Sequence, residues 1–256
     1  MCRLLGIFGE VAFWPEIMQA FRKLADTGRI PPVRNIKPGH KDGWGIARSN
    51  PDHSAMVPVT KQMGSAADSS IFTASVNKLP PTQILLCHMR KASSPVAVTL
   101  ANVHPFYSDN WAFAHNGFVS SAGKLPRDTS RPLTSEGSDS EYLFHYLLTN
   151  VYRKPVGQSE AQAIYEGCNN LETDFTALNN LMSNGRDLYC TRWHATYEDY
   201  YTLYAYPLPE AVVICSEPLQ SASLQPENWE ELPNRTVLKI HGSPPIIDRV
   251  DQKTAG

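Results

Sequence analysis

Apolar and polar positions along the chain follow two periods, and each predicts its own kind of element. Short apolar or alternating runs predict strands at Arg3–Phe8, Trp44–Arg48, Ala55–Thr60, Gln83–Arg90 and Trp111–His115. A helical period over Pro15–Asp26 puts Ile17, Met18, Phe21 and Leu24 on one face, with Gly28 as the C-cap. Ser138–Arg153 predicts a second helix. Ser138 and Glu141 have the spacing of a capping box, and Tyr142, Leu143, Tyr146 and Leu147 follow. Ser159–Asn170 predicts a third helix. Strands return at Thr176–Met182, Asp187–Trp193, Tyr200–Tyr206, Ala211–Cys215 and Arg235–Ile240. The Asn-Gly pair within Ser183–Arg186 signals a hairpin. Helices interrupt the strands without alternating with them, which excludes a doubly wound parallel sheet. Two antiparallel sheets covered by helices is the simplest packing. Polar, Pro-rich stretches at Arg29–His40, Asn50–His53, Ser120–Ser138 and Gln220–Asn234 bring no lasting change of composition. They read as loops within one domain spanning residues 1–256. The tail from Ser243 to Gly256 has few core formers and is expected on the surface.

Composition adds mostly exclusions. With 42% apolar and 19% charged residues, the 256-residue chain has the make-up of a folded protein. A net charge of -2 gives no basic footprint for nucleic acid and no polybasic patch for a membrane. Purely apolar runs such as Ala211–Cys215 fall far short of the roughly 18 residues of a membrane span. Arg3 followed by LLGIF resembles the start of a signal peptide, but Glu10 interrupts the run and no cleavage site follows. The five cysteines, at positions 2, 87, 168, 190 and 215, are odd in number and lack a CxxC pair. They read as reduced thiols of a cytoplasmic protein. Among the eight histidines there is no HExxH, and His88, His104 and His115 lack the close Cys or acidic neighbours of a zinc site. No metal and no cofactor is expected.

Candidate chemistry starts at Cys2. A small residue after the initiator permits removal of Met1, which would put a thiol and a free amine on one residue. An α-amine with a pKa of about 7.7–8.0 can accept the proton of a thiol of about 8.5 near neutral pH. Next, Arg90 ends a predicted strand in His88-Met89-Arg90-Lys91-Ala92-Ser93-Ser94-Pro95. Its guanidinium can grip a carboxylate through two parallel hydrogen bonds, and Ser93 and Ser94 can add donors. Asn102-Val103-His104-Pro105-Phe106 precedes Ala114-His115-Asn116-Gly117-Phe118. The Asn116-Gly117 pair suits a tight turn, and it equally suits an oxyanion hole made of the Asn116 amide and the Gly117 N–H. In Gly137-Ser138-Asp139-Ser140-Glu141 the acids favour a first helical turn, or Asp139 faces a cleft and pairs with an ammonium. The glycines of Gly39-His40-Lys41-Asp42-Gly43-Trp44-Gly45 suit a tight turn or close backbone approach, and the run lacks the spacing of a phosphate loop.

In this order, the motifs resemble the class II glutamine amidotransferase domain, a family of N-terminal-nucleophile hydrolases. The same domain stands at the front of glucosamine-6-phosphate synthase and amidophosphoribosyltransferase. The likeness runs from Cys2 to about Leu148 and continues loosely through Leu181–Gly185 and Cys215–Leu219. It implies a four-layer αββα sandwich within the α+β class. It implies Cys2 as nucleophile with its own amine as base, and Asn116 and Gly117 as the oxyanion hole. It puts Arg90 and Ser93 on the substrate carboxylate and Asp139 on its ammonium. The implied reaction is hydrolysis of a γ-glutamyl amide through a thioester. Lys91, Ser93 and Ser94-Pro95 depart from the family's HTRWATHG, where Trp, Thr and His-Gly stand. The chain ends near the end of the amidotransferase domain, so a stand-alone type is expected, similar to the ergothioneine-pathway γ-glutamyl hydrolases. Two alternatives stay open: a glutaminase subunit delivering ammonia to a separate synthetase partner, and a silent γ-glutamyl binding protein.

Overall fold

The computed structural model describes residues 2–32, 39–92 and 97–254. Four helices, α1 (Trp14–Thr27), α2 (Ser70–Lys78), α3 (Asp139–Arg153) and α4 (Glu160–Asn169), accompany two sheets among these residues. The seven-stranded sheet contains β1 (Cys2–Gly9), β2 (Gly43–Ser49), β3 (Met56–Gln62), β4 (Ile84–Arg90), β9 (Tyr204–Leu208), β10 (Ala211–Cys215) and the short β11 (Glu230–Glu231). Its order is β11-β9-β10-β1-β4-β2-β3. The six-stranded sheet contains β5 (Phe106–Ser108), β6 (Trp111–Val119), β7 (Phe175–Ser183), β8 (Leu188–Arg192), β12 (Thr236–His241) and β13 (Ile246–Val250). Its order is β13-β12-β8-β7-β6-β5, and every pairing in both sheets is antiparallel.

Strand alternation explains the layers. In β1, Leu5 and Ile7 face α1 and α2 in one apolar cluster, while Leu4 and Phe8 face the other sheet in a second. Ala112 and Ala114 of β6 meet them there, and Phe113 turns outward to α3 in a third cluster. Helices therefore cover the outer face of each sheet, and the fold is the four-layer αββα sandwich. Residues of β1, β4 and β6 that share the parity of Leu4 point into the space between the sheets. Cys2 opens β1 and pairs with Arg90, and His88 pairs with Leu4, so all three belong to that inner face.

Three local expectations need correction. Asn116-Gly117 is not a turn: both residues continue β6 and pair with Asn179 and Leu178 of β7. Ser138 makes no capping hydrogen bond through its side chain. Glu141, fully buried, instead accepts from the Thr134 and Ser135 backbone N–H groups at 2.8 and 2.7 Å, bracing the loop before α3. The predicted strand at Tyr200 begins only at Tyr204, because Tyr200 and Tyr201 both donate to the Tyr197 carbonyl at 2.9 Å and form a turn. A capping box does exist at Ser159 and Gln162. Short elements at α2, β5 and β13 escaped the periodic reading. Helix α2 had only Phe72 and Val76 as apolar contacts over two turns, with Ser69 as its N-cap. The 243–256 tail contributes β13, whose first four residues are exposed.

Candidate active site

The two sheets converge at Cys2, where β1 and β4 of one sheet meet β6 of the other and the start of α3. Cys2, Arg90, His104, His115, Gly117 and Asp139 line one small cleft. Ser93 lies outside the described residues. Arg90, Cys2, Asn116, Gly117 and Asp139 are thus brought together as the sequence motifs suggested.

The Cys2 nitrogen donates to Asn116 Oδ1 at 2.7 Å. A nitrogen donor can only face the oxygen of an amide, so this bond fixes which end of Asn116 points where. The other end, Nδ2, is buried without a partner among the described residues. Buried donors are normally satisfied, so an orphan held beside a thiol is a candidate for stabilising a developing negative charge. Gly117 is required by packing. A Cβ there would stand 1.9 Å from the Ala177 carbonyl oxygen across the strand pair and 2.7 Å from His115 Nε2. Gly117→Ala is therefore expected to destabilise the fold by about 3 kcal/mol, the upper end of overpacking costs, as measured by urea unfolding.

Burial by itself raises the Cys2 thiol, but in the chain that keeps Met1 the positive amino terminus and then His88 more than offset it, bringing the thiol down to about 5. The Cys2 Sγ also donates to the Lys91 carbonyl at 3.8 Å. Burial pushes Cys87, Cys168, Cys190 and Cys215 upward, so they stay protonated. Alkylation by iodoacetamide is expected at Cys2 alone. Its rate should rise with pH through about 5, where the thiol deprotonates, and stay level above. Peptide mapping at several pH values checks this. The His88 and His104 rings lie with centroids 4.2 Å apart, tilted by 47°, and the His104 ring nitrogens have no hydrogen-bond partner among the described residues. Burial holds His104 well below its ordinary value, and burial brings His115 down to about 3. His115 Nε2 faces the Ala177 carbonyl at 3.0 Å and must carry the proton, so Nδ1 accepts from Ser140 Oγ at 2.9 Å.

The rest of the cleft is held by loops. Arg90 Nη2 donates to the Ala97 carbonyl at 2.9 Å, and the buried Nη1 has no partner among the described residues. Asn102 ties that carbonyl, at 3.0 Å, to the Glu136 N–H, at 3.0 Å, and so links the Arg90 side to the loop before Asp139. Asp139 accepts from the Val119 N–H at 2.9 Å, and burial raises its pKa. The Gly39–Gly45 run serves the 90–92 turn. The Gly39 carbonyl accepts from Lys91 Nζ at 2.9 Å and the Asp42 carboxylate accepts from the Ala92 N–H at 2.8 Å. A Cβ at Gly45 would meet the His104 carbonyl oxygen at 2.2 Å, so this glycine admits the His104 segment.

Sequence reasoning missed Arg3 and its surroundings. Fully buried Arg3 donates to the Cys2 carbonyl at 2.8 Å and to the Arg29 carbonyl, ion-pairs with Glu217, and stacks over the Tyr200 ring at 4.7 Å. Ser216 Oγ accepts from the Leu4 N–H at 2.9 Å. Ser216 and Glu217 thus pin the start of β1. The available signal was Arg3 itself, a cation within an apolar strand, which must find a buried partner. Asn179 was missed too. It accepts from the Trp193 N–H at 2.8 Å and donates to the Tyr201 carbonyl at 3.0 Å, anchoring the Tyr197–Tyr201 turn to β7.

A thiol and an oriented amide at the mouth of an αββα sandwich define an N-terminal-nucleophile type of site. Residues 1–207 match the family model described as Glutamine amidotransferases class-II, and the chain belongs to that family. YafJ of Escherichia coli (strain K12) is 29% identical over 210 residues, covering 75% of this chain and 73% of YafJ. A Haemophilus influenzae relative is 30% identical over 198 residues, covering 72% of this chain and 60% of its own length. Both names place those proteins provisionally among glutamine amidotransferases. The glutamine phosphoribosylpyrophosphate amidotransferase of B. subtilis shares the fold with a TM-score of 0.64 at 19% identity. The alignment covers 97% of this chain, which spans about half of that enzyme, 49%. A class-II domain protein from Silicibacter pomeroyi has a TM-score of 0.61 at 18% identity, covering 98% and 99% of the two chains. No described helix is long and apolar enough to cross a membrane.

Proposed function

We propose that this protein hydrolyses a γ-glutamyl amide, glutamine or a γ-glutamyl conjugate, through a thioester on Cys2. The observation that carries this reading is Asn116, whose Oδ1 is fixed by the Cys2 nitrogen while its buried Nδ2 has no partner among the described residues. Removal of Met1 turns the Cys2 nitrogen into an α-amine. That amine takes the thiol proton, and the sulfur attacks the δ-carbonyl carbon of the substrate. The carbonyl oxygen becomes an oxyanion and accepts from Asn116 Nδ2 and the Gly117 N–H. The α-ammonium then gives its proton to the departing nitrogen, the C–N bond breaks and the γ-glutamyl thioester remains. Water attacks that thioester while the α-amine takes its proton. Glutamate leaves and the thiol is restored.

The glutamyl head has one carboxylate and one ammonium. Arg90 Nη1, buried and without a partner among the described residues, suits the first, and the Asp139 carboxylate suits the second. A charge-assisted hydrogen bond contributes about 1.5–3 kcal/mol. Asp139→Asn is therefore expected to lower kcat/KM for glutamine by about 10- to 100-fold. The test of the function is glutamate release from glutamine and from γ-glutamyl amides by protein lacking Met1. Stoichiometric glutamate with the free amine supports it; no glutamate from any γ-glutamyl amide overturns it.

A further inference from the structure

Beyond the cleft at Cys2, a separate cavity of about 380 Å³ is lined by Arg29, Ile30, Pro32, Tyr197, Glu198, Asp199 and Tyr200. We infer that this cavity receives the leaving group of the γ-glutamyl amide and selects a neutral aromatic amine over ammonia. The inference rests on the γ-glutamyl reading of the Cys2 site and adds the part of the substrate which that reading leaves open.

Strand order supplies the placement. In the seven-stranded sheet β1 lies between β4 and β10. The candidate glutamyl-head residue Arg90 is on β4, directly paired with Cys2. A substrate whose head lies over β4 and whose carbonyl sits at Cys2 extends its leaving group across β1 toward β10. On that side the chain continues from β10 into Ser216 and Glu217. The 29–32 segment and the Tyr197–Tyr200 turn stand there as well. The Arg29 N–H donates to Glu217 at 2.8 Å, and the Arg29 guanidinium donates to the Asp199 carbonyl at 2.9 Å, which closes the cavity wall. Tyr200 lines this cavity and also packs with Tyr201 against Ala177 of β7, the strand that pairs with Gly117. Arg3, the residue after Cys2, stacks on the Tyr200 ring at 4.7 Å.

The lining sets the chemistry. Ile30, Pro32 and the two tyrosine rings offer an apolar, partly aromatic surface. Tyr200 is only 3% exposed, and its hydroxyl has no partner among the described residues. That hydroxyl is a spare donor or acceptor for a polar substituent on the ring of the leaving group. Tyr197 remains 41% exposed, so one aromatic face is open to stack on an incoming ring. Arg29 shares Glu217, at 3.4 Å, with Arg3, whereas Glu198 and Asp199 make no salt bridge with the described residues and together outnumber the single Arg29 charge. The rim is therefore net negative, and it disfavours a leaving group with a free carboxylate, such as the amino acid of a γ-glutamyl dipeptide.

The test measures kcat/KM of the protein lacking Met1 for glutamine, γ-glutamyl-anilide and γ-glutamyl-phenylalanine, in the wild type and in Tyr197→Ala. The expected order is anilide first, with the dipeptide well below it. The anilide-to-glutamine ratio should fall about 10-fold in Tyr197→Ala, as loss of one aromatic stack requires. Glutamine turned over as well as the anilide, or a Tyr197→Ala ratio equal to that of the wild type, would overturn the leaving-group assignment while leaving the γ-glutamyl reading standing. Turnover of none of the three would overturn the γ-glutamyl reading itself, and this inference with it. Thermal unfolding of Tyr197→Ala at the wild-type temperature shows that a changed ratio is not a folding defect.

Discussion

Cys2→Ala is expected to lower kcat for γ-glutamyl hydrolysis by about 10⁴-fold or more while leaving the fold intact. The size follows from the loss of the thiol that the proposed mechanism uses to form the thioester. Binding groups and oxyanion donors that remain accelerate attack by water only weakly by comparison. The fold should survive because the side chain removed is small and stands at the first position of β1, where its backbone pairing with Arg90 does not depend on sulfur. The other four cysteines cannot substitute, since each is buried and burial raises its pKa. Stopped assays of glutamate release, with circular dichroism on the same sample, check both halves. Residual activity within tenfold of the wild type would remove Cys2 from the mechanism.

Asn116→Asp should be nearly as severe, with a kcat lower by about 10²–10³-fold, equivalent to roughly 2.7–4 kcal/mol of barrier. The substitution keeps an acceptor for the Cys2 nitrogen, so the terminus stays placed. It removes the Nδ2 donor and sets a carboxylate oxygen where the oxyanion develops. KM should change much less than kcat, because the proposal assigns the glutamyl head to other residues, Arg90 and Asp139. That split is informative: a donor used only in the transition state is seen in kcat, whereas a group that merely shapes the pocket is seen in KM. Steady-state kinetics with glutamine distinguish the two.

Much of the fold was legible from local pattern. Strands such as β1, β4 and β10 announced themselves because both their faces are buried and they read as continuous apolar runs, and helices such as α1 and α3 because each lays an apolar face on a sheet. Elements whose stability comes from distant partners did not. The two-residue β11 exists only through pairing with β9, and β13 only through β12. Asn116-Gly117 misled locally because the pair has turn chemistry, yet β7 pairs with it across its full length and the glycine is needed for clearance from Ala177. At the site, Cys2, Arg90, Asn116, Gly117 and Asp139 were readable from the order of motifs. The bracing residues Arg3, Ser216, Glu217 and Asn179 were not, since their partners lie far away in sequence and only the folded sheets bring them together.

The most direct test of the account is the intact mass of untagged protein before and after treatment with a γ-glutamyl diazoketone. Loss of Met1 together with one adduct that maps to Cys2 is the predicted result. Retained Met1 with no adduct, or an adduct on any of Cys87, Cys168, Cys190 and Cys215, would contradict it.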